Sequence, residues 1–156
     1  MADTLYHALV LSLHQPPGNL EALLERSESE ARDILLAMAR IPQALSGARE
    51  VGRVQLALSG SLLETLSNPD FQSRVSEIVN CEALLRAVGN SPSIDVLGNG
   101  YYHPVLPLIP PADWEAHLER WRKQSRRLFF RSDFQGFWPP ELGFCMEMIP
   151  LLRRFG

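Results

Sequence analysis

Hydrophobic and polar positions along this chain follow two rhythms. Short apolar runs, "YHALVLSLH" (6–14), "RVQLALSG" (53–60) and "SIDVLGN" (93–99), read as buried strands. Between them, apolar residues recur every three or four positions. Ala31, Ile34, Leu35 and Met38 share one face of a helical region that is clearest from Glu28 to Arg40. Asn68-Pro69-Asp70 opens a second helix, with Phe71, Val75, Ile78, Val79 and Leu85 roughly on one face, and Gly89-Asn90 stops it. Asp113 starts a third, striped by Trp114, Leu118 and Trp121. "GFW" (136–138) is a fourth strand candidate, and Glu141 to Phe155 is expected as the last helix.

Strand–helix alternation of this kind predicts an α/β fold of parallel β/α units, here a single domain over residues 1–156. In such folds sites lie at the carboxyl ends of the strands. The proline clusters Pro16–Pro17, Pro104–Pro111 and Pro139–Pro140 fall there. Four units are too few for a closed eight-stranded barrel of about 250 residues. An open sheet or part of a barrel remains.

Composition narrows the function. With 46% hydrophobic residues and a net charge of −3, the chain can bury a sizeable core and has no global attraction to nucleic acid or an anionic membrane. The basic run "RWRKQSRR" (120–127) follows Glu115 and Glu119 and reads as the solvated face of a helix. Cys81 and Cys145 lack metal-ligand spacing, and a disulfide framework would need more cysteines; the expected compartment is the cytoplasm. "LYHALVLSLH" is too short and polar to span a bilayer and lacks a signal peptide's basic start and cleavage site.

Three stretches carry candidate chemistry. "HQPPGN" (14–19) sets His14 and Gln15 at a strand end, where imidazole and amide suit sugar hydroxyls or a carbonyl; a histidine satisfied by the backbone is the plainer reading. "GNGYYHPVLPLIPP" (98–111) brings Tyr101, Tyr102 and His103 together. Aromatic faces beside polar tips suit sugar rings, and a buried aromatic loop is the alternative. "GFWPPELGF" (136–144) places Glu141 straight after Trp138-Pro139-Pro140. A carboxylate there is either a first-turn helix residue favoured by the dipole or a catalytic group. Of the remaining histidines, His7 is expected mid-strand as a structural residue and His117 on a helix surface.

The ordered set "HQP", "GYYHPVLPLIPP" and "GFWPPELGF" resembles the first three conserved regions of glycoside hydrolase family 57, and "LSGSLLE" (58–64) is similar to its amylase-like members. The resemblance implies an incomplete (β/α)7 barrel of the glycoside hydrolase/deacetylase kind. It implies cleavage or transfer at α-glucosidic bonds with retention of configuration, on an α-glucan or oligosaccharide, with no metal or organic cofactor. Glu141 would match the nucleophile, His14 the donor-sugar subsite, Gly100 to Pro107 the cleft wall, and Trp138 a stacking residue.

Two departures go with it. A glutamate that commonly precedes the family's Gly-Tyr stretch is matched here by the shorter Asp95. The family's general acid/base, an aspartate in a fourth region, has no counterpart before Gly156. Retaining chemistry needs two carboxyls about 5–5.5 Å apart. Asp95 is the other strand-end carboxylate to consider, and Asp133 is expected at the opposite face. The chain therefore reads as the N-terminal portion of such a catalytic domain, truncated, with an exposed half-barrel that self-association or a second chain would complete. The competing reading is a non-catalytic carbohydrate-binding or assembly module. A metal-dependent deacetylase is disfavoured because His7, His14, His103 and His117 form no His-x-x-x-His set.

Overall fold

The computed structural model describes residues 7–46, 53–130, 134 and 136–156. Three strands, β1 (Leu9–Leu13), β2 (Val54–Leu58) and β3 (Ile94–Leu97), form a sheet in the order β1-β2-β3. Every pairing is parallel, with Leu9 opposite Val54 and Val54 opposite Ile94. Helices α1 (Asn19–Arg26) and α2 (Glu28–Ser46) connect β1 to β2. Next come α3 (Gly60–Leu66), α4 (Pro69–Arg74) and α5 (Cys81–Asn90), leading to β3. Helix α6 (Pro111–Phe129) follows β3, and a short α7 (Ile149–Leu152) closes the described chain.

The two faces of the sheet differ. Leu11, Leu13, Leu56, Leu58, Ile94 and Val96 pack into the main core with residues of the helices. Trp121 anchors α6 there: it is 2% exposed, and its indole N–H donates to the Leu58 carbonyl at 2.7 Å. The expected stripe Trp114, Leu118 and Trp121 is buried in full. A smaller cluster of Leu106, Trp114 and Met148 seats the C-terminal turns on α6, with the Trp114 indole N–H donating to the Leu106 carbonyl at 2.7 Å.

Several elements depart from expectation. The fourth strand contracts to one parallel bridge, Gly98 with Phe137, bounded by Gly98 N–H to Gly136 O and Trp138 N–H to Gly98 O, both 2.9 Å. Pro139 and Pro140 follow with no N–H to donate, so pairing stops. The helix expected from Asn68 to Gly89-Asn90 is two helices. The Asn80 side chain accepts from the Ala83 N–H at 2.8 Å and caps α5, which restarts the helix after a turn containing β-branched Val75, Ile78 and Val79. In place of a helix from Glu141 to Phe155 there are two 3₁₀ turns, Pro140–Leu142 and Met146–Met148, before α7. Glu141 and Leu142 have φ of 51° and 58°, which no α-helix admits.

Helix α3 adds an element that the apolar pattern hid. The Ser59 hydroxyl accepts from the Leu62 N–H at 3.3 Å and starts the helix with no loop after β2. His7 precedes β1 and is exposed, so it is not mid-strand. Asp133 lies outside the described residues. Both Cys81 and Cys145 are free thiols, and burial pushes the Cys81 thiol up to about 11, which suits a packing residue rather than a nucleophile. Among the described residues no helix is long and apolar enough to cross a membrane.

Candidate active site

The register builds the site. Paired residues of parallel strands point to the same face, so Val10, Gln55 and Asp95 form one row and Ser12, Ala57 and Leu97 the next. Continuing one step past the strands gives His14, Ser59 and Asn99. The Ser59 N–H donates to the Leu13 carbonyl at 3.1 Å and extends the ladder in that direction. This is the face opposite the helix-packed core, and its last row lies at the carboxyl end of the sheet.

Three sequence-predicted residues converge there. The His14 and His103 rings stack with centroids 4.0 Å apart and 8° between planes. The His103 Nε2–H donates to Glu141 Oε1 at 3.3 Å. A carboxylate only accepts, so Nε2 carries the proton of this bond. The His103 side chain is 7% exposed and that of Glu141 71%, so a sheltered imidazole holds a carboxylate that faces solvent. Of the four described non-glycine residues with positive φ, three are His103, Glu141 and Leu142. Each such backbone costs about 1–3 kcal/mol and persists only where the surroundings enforce it, a pattern typical of functional sites.

Polar atoms without partners cluster in the same region. Among the described residues, His14 Nδ1, His103 Nδ1 and both side-chain polar atoms of the fully buried Asn99 have no hydrogen-bond partner. Buried polar groups are rarely left so. Burial, then the neighbouring His103, lowers the His14 pKa from its ordinary 6.5, against an opposing pull from Glu141. Burial lowers His117 as well, with Asp113 raising and Arg120 lowering it.

Both shifts have the same sign consequence. A histidine whose folded pKa is depressed costs stability once pH falls below its unfolded value, because the unfolded chain then binds more protons. Melting temperature is expected to fall as pH drops below 6.5, less steeply in His117→Gln. The check is NMR titration of the ring signals of His14 and His117. Midpoints at or above 6.5 would refute the burial argument.

Other candidate residues go elsewhere. Asp95 is a correction: it sits near the start of β3, four residues before Asn99, or about 13 Å back at about 3.3 Å per residue. Its carboxylate pairs with Arg53 at 3.6 Å, beside the start of β2. Sequence order alone placed it at the strand end; register removes it. Gln15 belongs to the frame, its Oε1 accepting from Asn19 at 2.6 Å and its carbonyl from the Ser61 hydroxyl at 2.9 Å. Tyr101 is 4% exposed and turns toward α3, its hydroxyl donating to Glu64 Oε2 at 3.1 Å. Gly60 permits this, since a Cβ there would lie 2.2 Å from the Tyr101 ring. Tyr102 is 43% exposed and edge-on to Tyr101 and His117. His117 is therefore half-buried against a ring and is not a free surface residue. Trp138 is half-buried beside the Gly98 bridge. Glu64 and Asn99 escaped notice as participants, although "LSGSLLE" and "GNG" contain them.

A parallel β/α sheet thus carries one carboxylate, Glu141, and two histidines, His14 and His103, at its strand-end loops. The sequence model of glycosyl hydrolase family 57 matches residues 18–156, and the chain belongs to that family. It is similar to the 4-alpha-glucanotransferase of Thermococcus litoralis, 26% identical over 146 residues that make up 92% of this chain and 19% of the relative. The alpha-amylase of Pyrococcus abyssi is 25% identical over 146 residues, again 92% of this chain and 19% of the relative. The crystal structure of the Thermococcus litoralis 4-alpha-glucanotransferase superposes with a TM-score of 0.64 at 26% identity, covering 96% of this chain and 21% of that one. The fold is thus consistent with part of a (β/α) barrel. The chain spans about a fifth of the length of these relatives.

Proposed function

We propose that this chain carries the nucleophile side of a retaining site for α-glucans, with Glu141 as nucleophile and His14 and His103 on the sugar-binding wall. The observation that carries the reading is the His14–His103 stack bonded to Glu141 at 3.3 Å. The names of the relatives, glucanotransferase and amylase, support an α-glucan or oligosaccharide as substrate. In the reaction the Glu141 carboxylate attacks the anomeric carbon, the glycosidic C–O bond breaks, and the leaving oxygen takes a proton from a second carboxyl. Water or a sugar hydroxyl then attacks the glycosyl ester, giving hydrolysis or transfer.

No described residue is assigned as the proton donor: Asp95 lies near the start of β3 and pairs with Arg53. The chemistry needs a second carboxyl about 5–5.5 Å from Glu141, from the same polypeptide, a second copy or another chain. That displacement of Asp95 is also what favours the second reading, a carbohydrate-binding module without turnover. The test is a substrate whose leaving group needs no acid. Incubation with a 5-fluoro-α-glucosyl fluoride, followed by peptide mapping, is expected to give one covalent sugar adduct, on Glu141. Saturable maltooligosaccharide binding without any adduct would favour the binding module.

A further inference from the structure

Helix α6 presents a second feature away from Glu141. Between α3 and α6 lies an open groove of about 940 Å³, lined in part by Glu64, Glu119, Arg120, Lys123, Arg126 and Arg127. Arg120, Lys123 and Arg127 recur at helical spacing on one face, while Trp114, Leu118, Trp121, Ser125 and Phe129 bury the other. Among the described residues none of the four groove cations forms an ion pair. Glu119 is taken by Arg122 at 2.8 Å, and Glu64 accepts the Tyr101 hydroxyl.

Like charges three or four residues apart on a helix repel. Here none of them has an ion-pair partner among the described residues, in a chain whose net charge is −3. Two are also held in place. The Arg120 guanidinium lies 4.8 Å and 5.1 Å from the Tyr101 and Tyr102 ring centroids. Arg127 Nη2 and Gln124 Nε2 both donate to the Ser67 hydroxyl, at 3.0 and 3.2 Å. A guanidinium has five N–H donors, so Arg127 keeps others for a ligand.

We propose that the α3–α6 groove binds a sugar phosphate monoester, with the phosphate on the cation row and the sugar hydroxyls on Glu64, Glu119 and Gln124. Guanidinium forks fit phosphate oxygens by charge-assisted hydrogen bonds. The volume exceeds what a bare phosphate fills. Carboxylates inside the groove repel a continuous phosphate backbone, and the aromatic ring that lines it, Tyr101, is buried, so single-stranded nucleic acid has no stacking platform.

The experiment is calorimetric titration of the whole chain at low salt with a hexose monophosphate, inorganic phosphate, the unphosphorylated hexose and a short single-stranded oligonucleotide. Saturable binding of the hexose monophosphate is expected, tighter than inorganic phosphate. It should weaken at least about tenfold in Lys123→Gln/Arg127→Gln and also in Arg126→Gln, whose side chain supports no described contact. Melting curves and maltooligosaccharide binding should stay as in the parent. Absence of saturable binding, equal affinity for inorganic phosphate, tighter binding of the oligonucleotide, or indifference to both variants would each overturn the proposal.

Discussion

Glu141→Gln is expected to lower turnover of an α-glucosyl fluoride at least about a thousandfold if Glu141 is the nucleophile proposed above, because removing a covalent nucleophile removes the reaction path and not merely a contact. The substitution is nearly isosteric and the side chain is 71% exposed, so stability should change by less than about 0.5 kcal/mol. Maltooligosaccharide binding should persist, since the stacked pair of His14 and His103 is untouched. Backbone geometry adds a sharper version. Glu141 sits at φ 51°, ψ 27°, where glycine is unstrained, so Glu141→Gly should fold at least as well as the parent while opening space at the anomeric carbon. Added azide is then expected to restore glucosyl fluoride consumption and to yield the glucosyl azide of opposite anomeric configuration. Full turnover in Glu141→Gln would sink the assignment of the nucleophile. Rescue without inversion would sink the retaining mechanism.

The parts of the fold legible in the sequence are those where burial writes a period. β2 and β3 carry runs whose apolar side chains enter the core, and the α6 stripe of Trp114, Leu118 and Trp121 is buried where its spacing predicts. What local period cannot express is register. Asp95 and Asn99 share a face of the same strand direction, and nothing in "SIDVLGN" says which of them reaches the end row. Pairing of Asp95 with Gln55, and its contact to Arg53, decide that. Caps mislead similarly. Asn80 sits inside a plausible apolar stripe, yet its side chain caps the start of α5, after α4 has ended at Arg74. The convergence of His14, His103 and Glu141 needs positive φ at the last two, a property of tertiary context that residue type alone does not disclose. The motif stretches contain the residues that the fold brings together, and only the fold sorts them from Tyr101 and Asp95, which it places elsewhere.

Trp121→Ala is expected to be the most destabilising single change. Truncating a buried Trp costs about 3–5 kcal/mol, and domains have only about 5–15 kcal/mol in all. Trp121 is 2% exposed, meets Phe134 edge-to-face at 5.7 Å, and satisfies the Leu58 carbonyl. Removal leaves that buried carbonyl without its donor, a further penalty of about 1–3 kcal/mol that relaxation and water entry partly offset. For a chain of this size each kcal/mol moves the melting temperature by about 2–4 °C, so a drop of roughly 6–20 °C should appear by calorimetry or circular dichroism. Trp121→Phe retains most of the apolar bulk and loses the N–H donor, so it should fall between the parent and Trp121→Ala. The position also explains a functional coupling. Leu58 is the last residue of β2, and the next, Ser59, stands in the row with His14 and Asn99. Loosening the Trp121–Leu58 link should therefore broaden the His14 and His103 ring signals even below the melting transition. A Trp121→Ala chain that melts within about 2 °C of the parent would mean that α6 is held by other contacts, and that less than about 1 kcal/mol depends on this anchor.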